Sequence, residues 1–482
     1  MMSFKFGRTQ SSRSEFLRAG RVGVTAAVSV VAMAMSLGAV AVAHAESLND
    51  AIAMAYGQNP TLARARAQQR ANDETYVQAR SQFGPSLSVG SSVNYTDYDS
   101  TSTGGRSTTT LSVSGNQAIY SSGGLTQSLK ASQANVMAGH EDLRSTESSV
   151  LFNVIQVYTA VRRDQQALKI SQDNYDILKQ QLDQTQAQFE AGQLTRTDVA
   201  QSQARLSASA ASLAQAQAQL DSDRATYVSI VGQAPVALEA EPDLPGLPAD
   251  FDQALTVAQK NNPDLQASMY AEDAAQARMK AARSVFGPTV SLGANIGESA
   301  PTDKLGNLDG SRAATATVRL SVPLFSAGLN GSREREAAEN YNAQRITTEI
   351  TRRSVVSQVS QSWSQMIAAR SAVSSNEEQV RAAQVAAEGV KTEQQVGLRT
   401  NIEVLNAQQE LKSAQLQLLE AQRTQYVAAS QLLSVMGGLT AQAFVPDIDV
   451  YDPQTNFNKV NRKGWTPLEP VVRAVDGLGS GG

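Results

Sequence analysis

The chain has 482 residues, 41 Lys and Arg against 45 Asp and Glu, two histidines and no cysteine. The lack of cysteine excludes disulfides, thiolate metal sites and a lipid-modified N-terminal cysteine. An acidic balance is wrong for binding nucleic acid, whose phosphates need neutralising. Aromatic content is 5%, and Ala, Gln and Ser are abundant, a mixture suited to long helices packed through small side chains.

The first segment reads as an export signal. Lys5, Arg8, Arg13, Arg18 and Arg21 form a basic region, Val22 to Val42 is apolar apart from small polar residues and glycines, and Ala43-His44-Ala45 offers a small-x-small cleavage site. An uncleaved anchor is the alternative, since the apolar run is long enough to span a bilayer. The small residues at 43 and 45 favour cleavage, which removes 1–45 and leaves Glu46 first. The mature chain then carries 36 basic residues against 44 acidic ones, a net charge of −8. Its one histidine, His140, stands among helical polar residues and is expected at the surface. Metal binding and His- or Cys-based catalysis are therefore not expected, and neither is a cofactor.

After the signal the chain says nearly the same thing twice. Asn59-Pro60 recurs as Asn262-Pro263, and Phe83-Gly84-Pro85 as Phe286-Gly287-Pro288, both at an offset of 203. Ser121-Ser122-Gly123 answers Ser326-Ala327-Gly328, Gly192 answers Gly397, and Val231-Gly232 answers Met436-Gly437, all at 205. Hairpin loops absorb the two-residue change. The chain divides into a first repeat at 46–240, a second at 241–445 and a tail at 446–482.

Each copy reads as helix, β-hairpin, long helix, turn, long helix. Leu48 to Gln82 is helical with a break at Asn59-Pro60, because the residue before proline disfavours the α region. Leu87, Val89, Val93 and Tyr95 then alternate with Ser86, Ser88, Ser92 and Asn94. After a polar loop from Asp97 to Ser107, Thr109, Leu111 and Val113 alternate with Thr108, Thr110, Ser112 and Ser114. The second copy places Val290, Leu292, Ala294 and Ile296 opposite Thr289, Ser291 and Asn295. Past a loop from Gly297 to Ser311, Ala314, Ala316, Val318, Leu320 and Val322 oppose Thr315, Thr317, Arg319 and Ser321. Alternation alone fits a soluble hairpin on helices as well as a membrane strand. Strands of about nine to eleven residues, with a Ser/Thr/Asn/Arg face suited to a wet lumen, tilt the reading to the membrane. Four strands cannot close a barrel, and an open edge in lipid leaves backbone groups unpaired, so such a chain must oligomerise.

The long helices carry apolar residues every seven positions. Val154, Val161, Leu168, Tyr175, Leu182 and Phe189 are matched by Val359, Met366, Val373, Val380, Ala387 and Gln394. Val199, Leu206, Leu213, Leu220 and Tyr227 are matched by Val404, Leu411, Leu418, Gln425 and Leu432. Sustained sevens mean coiled-coil packing. The first long helix, Gly123 to Phe189, is about 100 Å of rod, which reaches a distant partner or encloses a passage. In the turns Gly192 and Gly397 supply the left-handed residue, and Thr197 or Asp198, and Thr400 or Asn401, can cap the following helix. On their own these are ordinary helical-hairpin turns.

The duplicated unit, the turns Gly192 to Val199 and Gly397 to Val404, and an aromatic-x-x-Gly element after each β-hairpin (Tyr120 to Gly123, Phe325 to Gly328) together resemble the TolC family of outer-membrane channel-tunnels. The resemblance runs from Glu46 to about Val445. It implies a mostly α fold with a small β part. Four transmembrane strands per chain would close, in a homotrimer, into a twelve-stranded outer-membrane barrel above a periplasmic α-barrel of helical hairpins. It implies no enzyme. It also implies a periplasmic adaptor (membrane fusion protein) gripping the turns at Gly192, Leu194, Gly397 and Leu398, and an inner-membrane ABC exporter or proton-driven pump. The entrance constriction falls on Glu403 and Asn406, the latter a departure from a second acid, so cation preference should weaken. The links that hold the entrance shut fall on Arg399 facing Thr197 and Asp198 of the other hairpin. The aromatic partner of that Asp in the family pattern is Gln394 here. An exposed salt bridge of little consequence is the plainer alternative for Arg399.

The tail elements Tyr451-Asp452-Pro453, Asn456 to Val460 and Trp465 resemble family members that serve ATP-driven, one-step (type I) protein secretion. Asp476 to Gly482 is Gly-rich and expected to be disordered. The competing readings are the outer-membrane part of a multidrug efflux pump and, in another class, an exported coiled-coil structural or adaptor protein of the periplasm.

Overall fold

The computed structural model describes residues 46–97, 105–302 and 311–480. The export signal, the greater parts of the two polar hairpin loops and the last two glycines lie outside the described residues. The first copy comprises α1 (Leu48–Gln58), α2 (Pro60–Ser81), β1 (Ser86–Thr96), β2 (Arg106–Tyr120), α3 (Gly124–Glu190) and α4 (Arg196–Val231). The second comprises α5 (Phe251–Asn261), α6 (Pro263–Ser284), β3 (Thr289–Pro301), β4 (Ser311–Ser321), α7 (Leu329–Gln395) and α8 (Asn401–Val435). Corresponding helices have equal lengths of 11, 22 and 67 residues, and the returning helices have 36 and 35. The tail adds α9 (Ala441–Phe444), α10 (Pro453–Val460), α11 (Glu469–Gly477) and a final 3-10 turn, Leu478–Ser480. No described helix is long and apolar enough to cross a membrane.

The repeated Asn-Pro has one physical job in both copies. Proline at the first helical position needs no partner for a missing N–H, and the asparagine before it caps the helix. Asn59 Oδ1 accepts from the Thr61 amide at 2.8 Å while its Nδ2 donates to the Ile230 carbonyl at 2.9 Å. Asn262 repeats this with the Leu265 amide at 2.9 Å and the Val435 carbonyl at 2.8 Å. Each amide thus joins the N-terminus of the helix leading to the sheet to the last turn of the returning long helix. Beside the second joint, Gly437 has φ +71°, and an added Cβ would lie 2.3 Å from the Asn261 carbonyl oxygen.

Two apolar clusters lie around these joints. The larger gathers Leu48, Ile52 and Tyr56 of α1 with Leu151, Val154, Tyr158 and Val161 of α3, Tyr227 of α4 and Phe444 of α9. The smaller is its counterpart around Val355, Val359 and Leu432. Glu46 is buried in the larger: its carboxylate accepts from Tyr227 Oη at 2.7 Å and Gln233 Nε2 at 2.8 Å.

The four strands form one antiparallel sheet in chain order, β1-β2-β3-β4. Val89, Val113, Ile296 and Ala314 align across one face, and Ser88, Ser114, Asn295 and Thr315 across the other. The apolar face is bare: Leu87 is 79% exposed and Val318 73%. Among the described residues β1 pairs only with β2 and β4 only with β3, so the sheet has two open edges. Two boundaries differ from expectation. β2 continues to Tyr120, and β3 runs through Gly297 to Pro301 where a loop was expected. Ladder bonds to strands on both sides hold Gly297, Glu298 and Ser299 extended despite their polarity.

Two tail and surface expectations are corrected. His140 is buried, its Nε2 3.7 Å from Asp73 Oδ1, with Gln454 and Phe457 of the tail beside it. Burial lowers its pKa against the raising influence of Asp73. Polar neighbours in sequence concealed this, because α10 covers the site from 300 residues away. Asp476, assigned to a disordered end, is fully buried. Its carboxylate accepts from the backbone amides of Ser121 (2.7 Å), Gly123 (3.2 Å) and Thr126 (3.0 Å). It caps α3, whose own N-cap, Gly123, has no side chain to do so.

Asn262→Ala should lose both a cap and the partner of a buried carbonyl, costing about 2–4 kcal/mol. Asn262→Ser keeps a capping oxygen without adding charge and loses only the donor to Val435, so it should cost less. Thermal unfolding followed by circular dichroism checks the order.

Candidate gate at the hairpin tips

Each long hairpin turns through a Schellman motif. Gly192 (φ +75°) sends its amide to the Phe189 carbonyl while Gln193 bonds Gln188; Gly397 (φ +81°) bonds Gln394 while Leu398 bonds Glu393. The helices that follow begin with capping boxes. Thr400 is the second cap, as expected, but the first is Thr195 rather than Thr197 or Asp198. Asp198 is instead the reciprocal partner, accepting from the Thr195 amide at 3.0 Å and hydroxyl at 2.6 Å. These bonds hold its carboxyl below the ordinary range, the hydroxyl foremost. Thr197 is exposed, and Leu194 is half-buried. Leu398 is 76% exposed at the tip of the second hairpin, beside Val396.

Arg399 and Glu403 form a clamp within their own hairpin. Arg399 Nε donates to Glu393 at 2.8 Å and its Nη1 to Glu403 at 2.9 Å, while Glu403 accepts from the Thr400 amide and hydroxyl at 2.8 Å. Within the chain, therefore, Arg399 does not meet Thr197 or Asp198: the capping boxes and Glu393 occupy both sides. Gln394 is half-buried and contributes its carbonyl to the turn. Glu403 is held down to about 2, first by the Thr400 amide, then by its hydroxyl, then by Arg399.

Contacts between the hairpins start at Asn401, the first residue of α8, and continue away from the tips. Arg205 of α4 donates to Asn406 Oδ1 of α8 at 2.8 Å, so Asn406 accepts a cross-hairpin bond where a second acid was missed. One turn away a buried polar layer spans three helices: Gln181 donates to Asn401 Oδ1 and Asn401 Nδ2 donates to Ser202, both at 2.9 Å. Lys412, also buried, reaches Ser212 at 2.9 Å, and desolvation lowers its pKa. Sequence reasoning passed over Arg205, Gln181, Ser202 and Lys412. The available signal was the polar residue Asn401 beside a heptad seam that loses its large apolar side chains toward the tip.

A bare apolar sheet face, two open edges and paired helices of 67 residues are the parts of a multi-chain tunnel. The sequence model for outer membrane efflux proteins matches residues 51–233 and 254–438, one copy each. The chain belongs to the outer membrane efflux protein family. It is 30% identical over 428 residues to the outer membrane efflux protein BepC of Brucella suis, covering 88% of this chain and 92% of BepC. It is 24% identical to the outer membrane protein TolC of Escherichia coli, covering 89% and 90%. It is 26% identical to the alkaline protease secretion protein AprF of Pseudomonas aeruginosa, covering 64% and 66%. In fold it superposes on the channel CusC with a TM-score of 0.74 at 19% identity, covering 81% of this chain and 92% of CusC.

This efflux-family chain is an outer-membrane protein with a large periplasmic part of helical hairpins. Family and fold are those of channels and not of known enzymes. Members of the family are trimeric channels that work with adaptors and inner-membrane pumps.

A carboxylate with a depressed pKa stabilises the folded tip above its ordinary value of 4.5 and loses that contribution only as pH falls toward 2. Any cation preference that Glu403 gives the reconstituted channel should therefore hold from neutral pH down to about pH 4. Glu403→Gln should reduce it throughout that range. Reversal potentials in salt gradients decide.

Proposed function

We propose that three copies of this chain form an outer-membrane export conduit that takes substrates from an inner-membrane pump, through a periplasmic adaptor, to the exterior. The observation that carries the trimer is the four-stranded sheet with a lipid-ready face and two unpaired edges. In a bilayer those edges must be closed, and a second and third copy supply the matching strands. The channel is passive. Energy comes from a pump, an ABC exporter or a proton-driven one, and the adaptor grips the tips at Gly192, Leu194, Gly397 and Leu398, where Leu398 and Val396 offer exposed apolar surface.

Type I protein secretion is the more specific reading. Its supports are the tail residues Tyr451-Asp452-Pro453, Asn456 to Val460 and Trp465, together with the likeness to the protease secretion protein AprF. The likeness to the outer membrane efflux protein BepC favours efflux instead. Loss of a secreted protein from the medium on deleting the gene, with drug susceptibility unchanged, supports secretion; the opposite pattern supports efflux.

The entrance is held by the Arg205–Asn406 bond, which joins the two hairpins, while the Arg399 clamp stiffens the tip of one of them. Opening is a two-state shift of the hairpins biased by adaptor contacts. Arg205→Ala should raise single-channel conductance in planar bilayers, and Arg399→Ser, which breaks bonds within one hairpin only, should raise it less. Conductance unchanged in Arg205→Ala overturns this gate.

A further inference from the structure

The tail makes an unexpected return to the membrane end of the molecule. α11 packs against β2 and the start of α3, through Val472 in a small cluster with Phe83 and Leu129 and through the Asp476 cap. Glu469 is buried in an ion pair with Arg80 of α2 at 2.7 Å. Thr466 lies against Gly84, just before β1, and Gly479 lies against the Tyr120 hydroxyl at the end of β2. Tyr120 aligns with Val290 and Leu320 on the apolar face of the sheet. α11 therefore covers the periplasmic end of the lipid-facing side, over the end of β2 and beside the start of β1.

The inner face of α11 is Glu469, Val472 and Asp476, all buried. Its outer face is apolar. Leu468, Val471 and Leu478 are 48%, 61% and 83% exposed, with Ala474 between them in the same stripe, and Trp465 precedes the helix at 55%. Charge is equally one-sided. Both acids of residues 461–480 are buried in bonds to the protein, while Arg462, Lys463 and Arg473 are all exposed. Arg473 lies 5.9 Å over the Phe83 ring, and Lys463 reaches Glu74 at 3.4 Å.

We propose that Trp465 to Leu478 is an interfacial anchor that lies in the periplasmic leaflet of the outer membrane and binds anionic phospholipid. An outward apolar stripe continuous with a membrane-facing sheet face has the lipid surface as its natural cover. Tryptophan settles at the headgroup level, and exposed cations, of which only Lys463 has an acid (Glu74) in reach, complement lipid phosphates. The anchor fixes the capping carboxylate of Asp476 at the junction where the sheet passes into α3.

The test uses the full mature chain in lipid nanodiscs with Trp363→Phe, which leaves Trp465 as the single tryptophan. Acyl chains brominated near the headgroup should quench Trp465 about twofold relative to plain lipid, with the residue shielded from aqueous iodide. Quenching should grow as phosphatidylglycerol replaces phosphatidylcholine, and that growth should vanish when Arg462, Lys463 and Arg473 are all changed to Gln. Three outcomes overturn the proposal: Trp465 open to iodide and unquenched (tail in water), shielded from iodide yet unquenched (tail under protein), or quenched without regard to lipid charge, which removes the anionic specificity. Val89→Trp in a chain lacking both native tryptophans should be quenched in every case, so failure of the anchor is distinguished from failure of the barrel to insert.

Discussion

Two asparagine amides hold the architecture together. Asn59 and Asn262 each cap a helix that runs to the sheet and take the terminal carbonyl of a long helix that returns from the periplasmic tip. A side-chain amide accepts through its oxygen and donates through its nitrogen, and in a buried setting leaving either group unpaired is costly. The joint therefore fixes where the sheet-bearing part and the hairpin-bearing part of each copy meet. Apolar clusters gather around both joints, so the molecule's main core sits between barrel and tunnel and not within either.

Away from that core the helices pack through small and polar residues. Ser171, Asn174, Gln181, Thr185, Ser202 and Ser209 are buried along α3 and α4, where Leu182 of the sevenfold pattern is buried but Leu168, Tyr175, Leu206 and Leu213 are only half-buried. Hydrogen-bonded layers of this kind specify register but contribute little net stability, since each bond replaces one to water. Such an interface is suited to a wall that must slide or untwist. The tips are local structures, each closed by its own glycine turn and capping box, and a hairpin can move as a unit without unmaking them.

Duplication gives the chain near-symmetry, and the tail removes it. In the first copy Phe83 is buried under Val472 and the start of α3 is capped by Asp476. In the second, Phe286, Leu324 and Phe325 remain exposed and the start of α7 has only the Ser326 hydroxyl, accepting from the Asn330 amide at 3.4 Å, with no counterpart of Asp476. The same sequence unit thus presents one finished junction and one bare junction.

The sequence by itself determined the doubled unit, the helix breaks at both Asn-Pro pairs, the strand faces, the hairpin turns and the family. These are signals carried by neighbours in the chain: proline at a helix start, period two in strands, period seven in helices, glycine at positive φ. Only the tertiary structure decided the rest. It drew out Asn401, Arg205 and Lys412 as links between helices about 200 positions apart, and it turned Arg399 toward Glu393 and Glu403, because capping geometry had already engaged Asp198. It buried His140 and Asp476 beneath and within a tail whose composition reads as loose chain. Burial and pairing at those positions depend on which segments fold back on one another, and a polar residue looks the same in sequence whether water or a distant helix receives its hydrogen bond.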